Sequence, residues 1–239
     1  MRNSYTVLFA TIVLVFAIFA PTREAEAQFT PTGVCGPQPT MTFSGTGIPN
    51  NAVMTNSNAA DIGVTLGLTA TARFSNPTVT NIACSFFASP GTDVNPPSPA
   101  DPYARWNFGW FIGGVNAALY RYTLYYDFNP ALNNADYGFL LMAQGQDSWN
   151  LGMNFLSPPS ALPGIIFPPA YGPFDPNAVG KYTFALQALD DQDNVVASSV
   201  IDVATFSAVP EPATMGLLAT GLIGLMGVSW WRKRKVEIS

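Results

Sequence analysis

Apolar and polar side chains alternate with a period of two in the C-terminal part of the region 28–208. In residues 181–189, aromatic and aliphatic side chains occupy every second position, which is typical of a strand with one buried face. Residues 190–194 are turn formers, and residues 195–205 alternate again. The two segments predict a β-hairpin, the usual closing pair of an immunoglobulin-like module.

The same period recurs upstream and predicts six further strands. Residues 105–113 place Trp106, Phe108 and Trp110 on one face, and residues 119–128 place three tyrosines and a leucine on one face. No stretch of useful length has apolar residues three and four apart, so no helix is predicted here. The pattern predicts eight to ten short strands in an antiparallel β-sandwich of immunoglobulin-like or jelly-roll type. The other predicted strands are 62–74, 78–88, 137–143 and 150–156.

Two proline-rich segments interrupt this pattern, at residues 89–102 and 157–176. Proline lacks an amide proton, so neither segment can form regular sheet throughout. We expect both to be ordered loops at the ends of one sandwich. Linkers between two subdomains are the alternative.

The N-terminal residues have the three parts of a secretory signal peptide. Arg2 supplies a positive start, residues 7–20 are almost wholly apolar, and an Ala-Glu-Ala cleavage sequence ends at Ala27. The pattern predicts a signal peptide at residues 1–27, which signal peptidase removes so that Gln28 begins the exported chain. The alternative is an uncleaved membrane anchor, although the apolar run is short for a span.

A second apolar segment lies near the C-terminus. Residues 213–231 contain no charge, and a helix of this length spans roughly 28 Å, close to the hydrocarbon thickness of a bilayer. The basic cluster behind it stays cytoplasmic by the positive-inside tendency. We therefore predict one transmembrane helix, with residues 28–208 outside the inner membrane; a buried core helix is the alternative. The basic stop consists of Arg232, Lys233, Arg234 and Lys235.

A proline-glutamate-proline signature, a glycine-rich apolar segment and an Arg/Lys cluster follow one another in residues 209–235. In this order they resemble a PEP-CTERM sorting domain. The resemblance implies recognition by an exosortase, a membrane-embedded protease-transpeptidase, with processing near the signature. It also implies a Gram-negative host that makes an extracellular polysaccharide. The signature residues are Val209, Pro210, Glu211 and Pro212.

Several phrases of the exported region resemble a recurrent ectodomain type of PEP-CTERM proteins. They include TLGLTATARFSNP at 65–77, YYDFNPA at 125–131 and QDSWNLGMNFL at 146–156. That type has no assigned biochemical activity, so the resemblance implies architecture and no chemistry.

Charged side chains are sparse and mostly acidic in residues 28–208. Four basic residues stand against eleven aspartates, and this region has no glutamate. Nucleic acid is therefore a poor partner, because phosphate binding needs a positive surface.

Two cysteines, Cys35 and Cys84, lie in the exported region. An exported compartment permits disulfides, so we predict a bridge between them; a pair of buried free thiols is the alternative. The bridge would close a loop of about 50 residues and stabilise the fold by roughly 3–4 kcal/mol.

The chain contains no histidine. This excludes a Ser-His-Asp triad, a Cys-His nucleophile and histidine-based zinc sites. Two of the aspartates could serve as the acid pair of a glycoside hydrolase, but the sequence context marks out none of them. We expect the protein not to be an enzyme.

Two weak binding hypotheses remain, and each has a simpler alternative. Asp190, Asp191 and Asp193 offer the hard oxygen ligands that calcium prefers, but a solvated hairpin turn is the favoured interpretation, and no cofactor is expected. Aromatic rings could stack on sugars, but alternating aromatics usually fill the core of a sandwich. The candidate sugar-binding residues are Trp149, in the most turn-like context, and Trp106 and Trp110.

These patterns predict an exported protein of a Gram-negative cell envelope, passed through the general secretion machinery. Its precursor would be anchored in the inner membrane with the ectodomain in the periplasm. Exosortase processing would then deliver it to the cell surface or extracellular matrix. A structural or adhesive role is expected, with extracellular polysaccharide as a partner. A carbohydrate-binding module is the alternative.

Overall fold

The computed structural model describes residues 29–37, 47–49, 52–59, 61–95, 102–131, 136–159 and 161–206, and this part of the chain is all-β. The predicted β-sandwich is confirmed. Its strands, in chain order, are β1 (Val34–Pro37), β2 (Val53–Ala59), β3 (Val64–Ala72), β4 (Thr80–Ile82), β5 (Ser85–Ala88), β6 (Trp106–Gly113), β7 (Arg121–Asp127), β8 (Tyr137–Met142), β9 (Gly145–Trp149), β10 (Ile166–Phe167), β11 (Gly180–Leu189) and β12 (Val195–Thr205).

The strands form two sheets. The smaller sheet has the order β1-β2-β3-β6-β9, and the larger has the order β10-β8-β7-β11-β12-β5-β4. Neighbouring named strands are antiparallel except for β5, which runs parallel to β12 with Asp202 opposite Ser85. The sandwich is thus antiparallel as predicted, apart from this one parallel pair. The 78–88 segment turns back on itself, and only its second half reaches β12.

The core lies between the two sheets and is built from the alternating side chains of β3, β6, β7, β11 and β12. Phe108 of β6 stacks on Phe184 of β11 with ring centroids 4.7 Å apart, and Trp106 packs against Tyr182 at 5.6 Å. Burying a large apolar side chain stabilises a fold by about 1.5–3 kcal/mol. Residues 181–189, which the alternation predicts as a strand, thus belong to β11 at the centre of the larger sheet.

Two predicted strands differ in the structure. Residues 78–88 form β4 and β5 with a tight turn between them, where Ala83 adopts a φ of 51°. Residues 150–156 are not a strand, because β9 ends at Trp149 and a 3₁₀ turn, Asn154–Leu156, follows.

A buried asparagine explains where β9 ends. Asn150 Nδ2 donates to the carbonyl oxygens of Ala104 and Trp106, both at 2.9 Å, and Asn150 Oδ1 accepts from Ala104 N at 2.8 Å. These side-chain hydrogen bonds to the segment that leads into β6 take the place of the backbone hydrogen bonds that would continue β9. The chain therefore turns at Asn150 instead of continuing as a strand.

Cys35 and Cys84 form a disulfide, with their Cα atoms 5.5 Å apart. Cys35 lies in β1 at the edge of the smaller sheet, and Cys84 lies in the turn between β4 and β5 at the edge of the larger sheet. The bridge therefore ties the two sheets together along one side of the sandwich.

In the part of the chain that the structure describes, no helix has the length and apolarity to cross a bilayer. The predicted signal peptide at 1–27, the signature at 209–212, the helix at 213–231 and the basic stop at 232–235 lie outside the described residues.

Candidate functional site

The tryptophans proposed for sugar stacking lie against the core. Trp106 and Trp110 are 2% and 7% exposed, so their ring faces are covered by protein in this structure. The sugar-stacking alternative is therefore wrong for these two residues. The physical reason is their register, because both belong to the face of β6 that packs against the larger sheet.

Trp149 is half-buried at the free edge of the smaller sheet. Its ring packs edge-on against Trp110 at 5.3 Å, Phe155 at 5.4 Å and Phe108 at 6.2 Å. Its Nε1 donates to Asp147 Oδ2 at 2.9 Å, which fixes the ring orientation. Both the ring and its polar atom thus have protein partners, and Trp149 functions as an edge of the core.

The aspartates proposed for calcium form a hydrogen-bonded hairpin turn. Asp190 Oδ1 accepts from Gln192 N at 2.9 Å and from Asn194 N at 2.8 Å, and Asp193 Oδ1 pairs with Arg121 Nη2 at 2.7 Å. The Asn194 side chain and backbone hold the pKa of Asp190 below its usual value. Within the described ranges, no three acidic or cysteine side chains converge as a metal site requires.

The outward face of the larger sheet carries a row of polar groups, formed by Tyr137, Asp127, Thr183 and Asp202, that sequence reasoning did not single out. Asp127 faces Tyr137 across β7 and β8, and Thr183 faces Asp202 across β11 and β12. Thr183 Oγ1 donates to Asp202 Oδ1 at 2.8 Å, while Lys181 Nζ pairs with Asp202 Oδ2 at 3.0 Å. Because both aspartates sit at outward-facing positions of ordinary strand pattern, the sequence offered no signal that they are buried.

This polar row is a structural network. Asp127 is 2% exposed and Asp202 is 6% exposed, and both accept hydrogen bonds from neighbouring residues. Burial and the charge of Asp127 raise the pKa of Tyr137, so the phenol stays protonated and neutral. Carboxylates that are covered and already hydrogen-bonded are poorly placed to act as an acid–base pair on a polysaccharide.

Next to the polar row lies an aromatic surface, defined here as Phe29, Tyr125, Phe139 and Phe167. Phe139 and Phe167 stack with centroids 4.4 Å apart, and Tyr125 contacts Phe139 at 5.9 Å. Phe29 packs on Tyr125 at 5.0 Å, and Thr32 forms a backbone bridge with Val200 of β12. The first described residues of the chain therefore lie across this face of the sheet.

A third cluster lies at the end of the sandwich where β3 ends and β6 begins. Arg73 Nε pairs with the buried Asp93 Oδ2 at 2.7 Å, and Asn76 Nδ2 donates to Asp93 Oδ1 at 2.6 Å. Burial by itself raises the pKa of Asp93, but the hydrogen bonds from Asn76 and Arg73 outweigh it and hold that pKa below its usual value. The cluster fastens the loop after β5 to the end of β3.

A cleft of about 360 Å³ opens between β2, β3 and the β4–β5 hairpin. Its lining includes Val53, Thr71, Val79, Asn81 and Phe86, and no lining residue is charged. The cleft therefore offers neither a nucleophile with a base nor a pair of carboxylates.

The sorting residues Val209, Pro210, Glu211 and Pro212 follow closely on the folded part of the chain. β12 ends at Thr205, and Phe206 is the last described residue before them. Three residues separate Phe206 from Pro210. The signature is therefore tied by a short connection to the longest strand of the larger sheet.

The comparison with known proteins gives a match in this C-terminal segment. Residues 208–234 match the family described as the PEP-CTERM protein-sorting motif. No curated protein and no solved structure matches the chain. The motif implies an exported precursor, anchored in a membrane, targeted to an exosortase and processed for the cell surface. The chain thus carries a PEP-CTERM sorting motif, as the resemblance of residues 209–235 predicts, behind a β-sandwich to which the match does not extend.

Proposed function

We propose that this protein is a structural or adhesive component of a Gram-negative cell envelope or extracellular matrix, delivered there by exosortase processing. The observation that carries the proposal is the position of the motif. It begins at residue 208, immediately after a disulfide-linked sandwich whose last strand ends at Thr205. This is the arrangement of a cargo domain followed by its sorting signal.

The disulfide supports export of the sandwich. A bridge between Cys35 and Cys84 persists in oxidising compartments and is rare in the cytosol. We infer that the signal peptide at 1–27 directs the chain into the general secretion machinery and that signal peptidase releases Gln28. The inner membrane would then hold the precursor by residues 213–231, with the basic stop at 232–235 on the cytoplasmic side.

The role after delivery is inferred to be binding or assembly and not catalysis. The chain has no histidine, and the aspartates of the polar row are covered and hydrogen-bonded. The aspartates of the 190–194 turn are held by backbone amides and by Arg121. We infer that a sandwich with these properties acts through its surface in an extracellular matrix. An extracellular polysaccharide is the partner that we propose.

A carbohydrate-binding module is the second candidate, and the aromatic surface supports it. Phe167 is 40% exposed on the outward face of the larger sheet, and Phe139 lies beneath it. Aromatic faces bind the apolar faces of sugar rings. In this candidate function Phe167 is the ring that stacks on the sugar, in place of Trp106 and Trp110, which are buried.

Processing of the precursor tests the proposed function. A variant that combines Pro210→Ala, Glu211→Ala and Pro212→Ala should be exported normally but keep its C-terminal segment in a host that expresses the exosortase. Glu237→Ala, beyond the basic cluster, is the matched control and should be processed normally. Unchanged processing of the triple variant would remove the exosortase assignment.

A further inference from the structure

A layer of hydrogen-bonded loops closes the end of the sandwich at which β12 ends. Thr205 Oγ1 donates to Ala178 O at 3.1 Å, and Gly91 N donates to Pro176 O at 2.7 Å. Arg105 N in turn donates to Gly91 O at 3.2 Å. We name this layer the exit end, because the chain leaves the sandwich here. It consists of residues 73–76, 91–94, 103–105, 175–179 and 205–206.

The exit end exposes four large apolar side chains, each next to a residue that the loop layer fixes in place. Phe74 adopts a φ of 47°, a left-handed conformation that is costly for a bulky residue, and the Arg73 guanidinium lies 4.6 Å from the centre of its ring. The strained backbone and the neighbouring cation therefore fix the orientation of the exposed Phe74 ring. The four exposures are Phe74 76%, Val94 56%, Val179 54% and Phe206 59%.

The two ends of the sandwich differ in charge. Arg73 and Arg105 of the exit end stand against Asp93 and Asp175. Asp136, which precedes β8, lies at the same end of the larger sheet, because Tyr137 pairs with Asp127 at the end of β7. The opposite end, where β11 ends and β3 begins, carries Arg121 against four aspartates, which are Asp61, Asp190, Asp191 and Asp193. The acidic excess is therefore larger at the opposite end, so anionic headgroups would repel the opposite end more strongly than the exit end.

The connection to the sorting motif is too short to let the exit end move far from a membrane. Six residues, 207–212, separate Phe206 from the apolar run, and the distance from Phe206 to Ala213 is at most about 25 Å in any conformation. β12 alone, with eleven residues, is roughly 36 Å long. Of the two ends, the exit end is therefore the one that the connection keeps at the bilayer.

We propose that the exit end is a membrane-contact surface of the precursor. Phe74, Val94, Val179 and Phe206 insert into the boundary between headgroups and acyl chains of the bilayer that anchors the chain. This contact holds the Pro210–Pro212 signature at the depth of a membrane-embedded protease. The inference rests on the proposed function, because it needs the membrane-anchored precursor that the sorting motif implies.

Short-range quenching by spin-labelled lipids tests the contact. The full-length precursor, with its disulfide intact, is placed in vesicles of phosphatidylethanolamine and phosphatidylglycerol that contain a phospholipid with a nitroxide near the headgroup. A fluorophore is attached at Val179→Cys, or at Val115→Cys as the matched control. Val115 is 93% exposed and lies at the opposite end of the sandwich.

We expect the label at position 179 to be quenched at least twofold more than the label at position 115. Adding Phe74→Asp should bring quenching at 179 down toward the control value, while Leu119→Asp at the opposite end should leave it unchanged. Equal quenching at the two positions would overturn the lipid assignment. A label at position 179 that becomes shielded from water only after exosortase is added would overturn it as well. Exosortase processing measured on the same vesicles separates this outcome from failure of the proposed function, because lipid contact does not require cleavage.

Discussion

Cys35 and Cys84 join the edge of the smaller sheet to the edge of the larger sheet, with Cα atoms 5.5 Å apart and a separation of 49 positions in the sequence. Along this side, the edge strand β1 has four residues and β4 has three. Short edge strands contribute few backbone hydrogen bonds. The covalent bridge therefore compensates where the sheets themselves are weakest, and it does so only in an oxidising compartment.

Removal of the bridge should weaken the fold substantially. The double substitution Cys35→Ser, Cys84→Ser releases a loop of 49 residues in the unfolded chain, which lowers the free energy of unfolding by about 4 kcal/mol. Urea unfolding of residues 28–208, followed by tryptophan fluorescence, measures the change. A double variant as stable as the wild type would show that the bridge does not constrain the unfolded chain.

The ion pair between Arg73 and Asp93 should make stability depend on pH. The pKa of Asp93 is lowered from 3.8 in the folded chain, so its contribution is complete above that value and disappears as the pH falls through the folded pKa. Asp93→Asn leaves Arg73 without its partner and should cost about 3 kcal/mol at pH 7. Urea unfolding between pH 7 and pH 2 should show a smaller loss on acidification for Asp93→Asn than for the wild type.

Asp191→Asn is the matched control for Asp93. Asp191 is exposed in the hairpin turn, so its substitution should change stability by no more than about 0.5 kcal/mol at any of these pH values. If Asp93→Asn behaves like Asp191→Asn, the buried cluster is not the origin of the acid sensitivity.

Trp149 should contribute to stability more than to recognition. Its ring contacts Trp110 and Phe155, so Trp149→Ala should lower the free energy of unfolding by about 3 kcal/mol. A glycan array comparing the wild type with Trp149→Ala and Phe167→Ser tests whether the aromatic surface binds sugar. Binding that is lost in Phe167→Ser supports the carbohydrate-binding candidate. Saturable binding lost in Trp149→Ala, without loss of stability, would contradict the role of Trp149 described here.

Calcium should leave the ectodomain unaffected. The Asp190 carboxylate is used by the backbone of its own turn, and Asp193 is paired with Arg121. Millimolar Ca²⁺ should therefore shift the melting temperature of residues 28–208 by less than about 1 °C. A shift of several degrees, abolished by Asp190→Asn, would make this turn a metal site.

The strands with strict alternation could be predicted from the sequence because their period reports burial directly. Tyr182, Phe184 and Leu186 point into the core as the pattern predicts. The segment 150–156 could not be assigned in the same way. It has apolar residues at strand-like spacing, but the hydrogen bonds of Asn150 end the strand, and those bonds depend on a distant backbone at Ala104.

The candidate sites divide along the same line. The sorting motif is a local feature of residues 209–235, so it could be recognised from the sequence without knowledge of the fold. The polar row and the aromatic surface depend on which strands lie side by side in the sheet, including the pairing of β7 with the sequence-distant β11. Tyr137 meets Asp127, and Phe29 meets Tyr125, only because β7, β8 and the chain's first described residues lie side by side.

The C-terminus of the mature protein, determined by mass spectrometry on material from its host, tests the central claim most directly. The account predicts a chain that begins at Gln28 and ends near Pro210–Pro212, without the apolar and basic residues that follow. A mature protein from an exosortase-expressing host that still ends at Ser239 would contradict it.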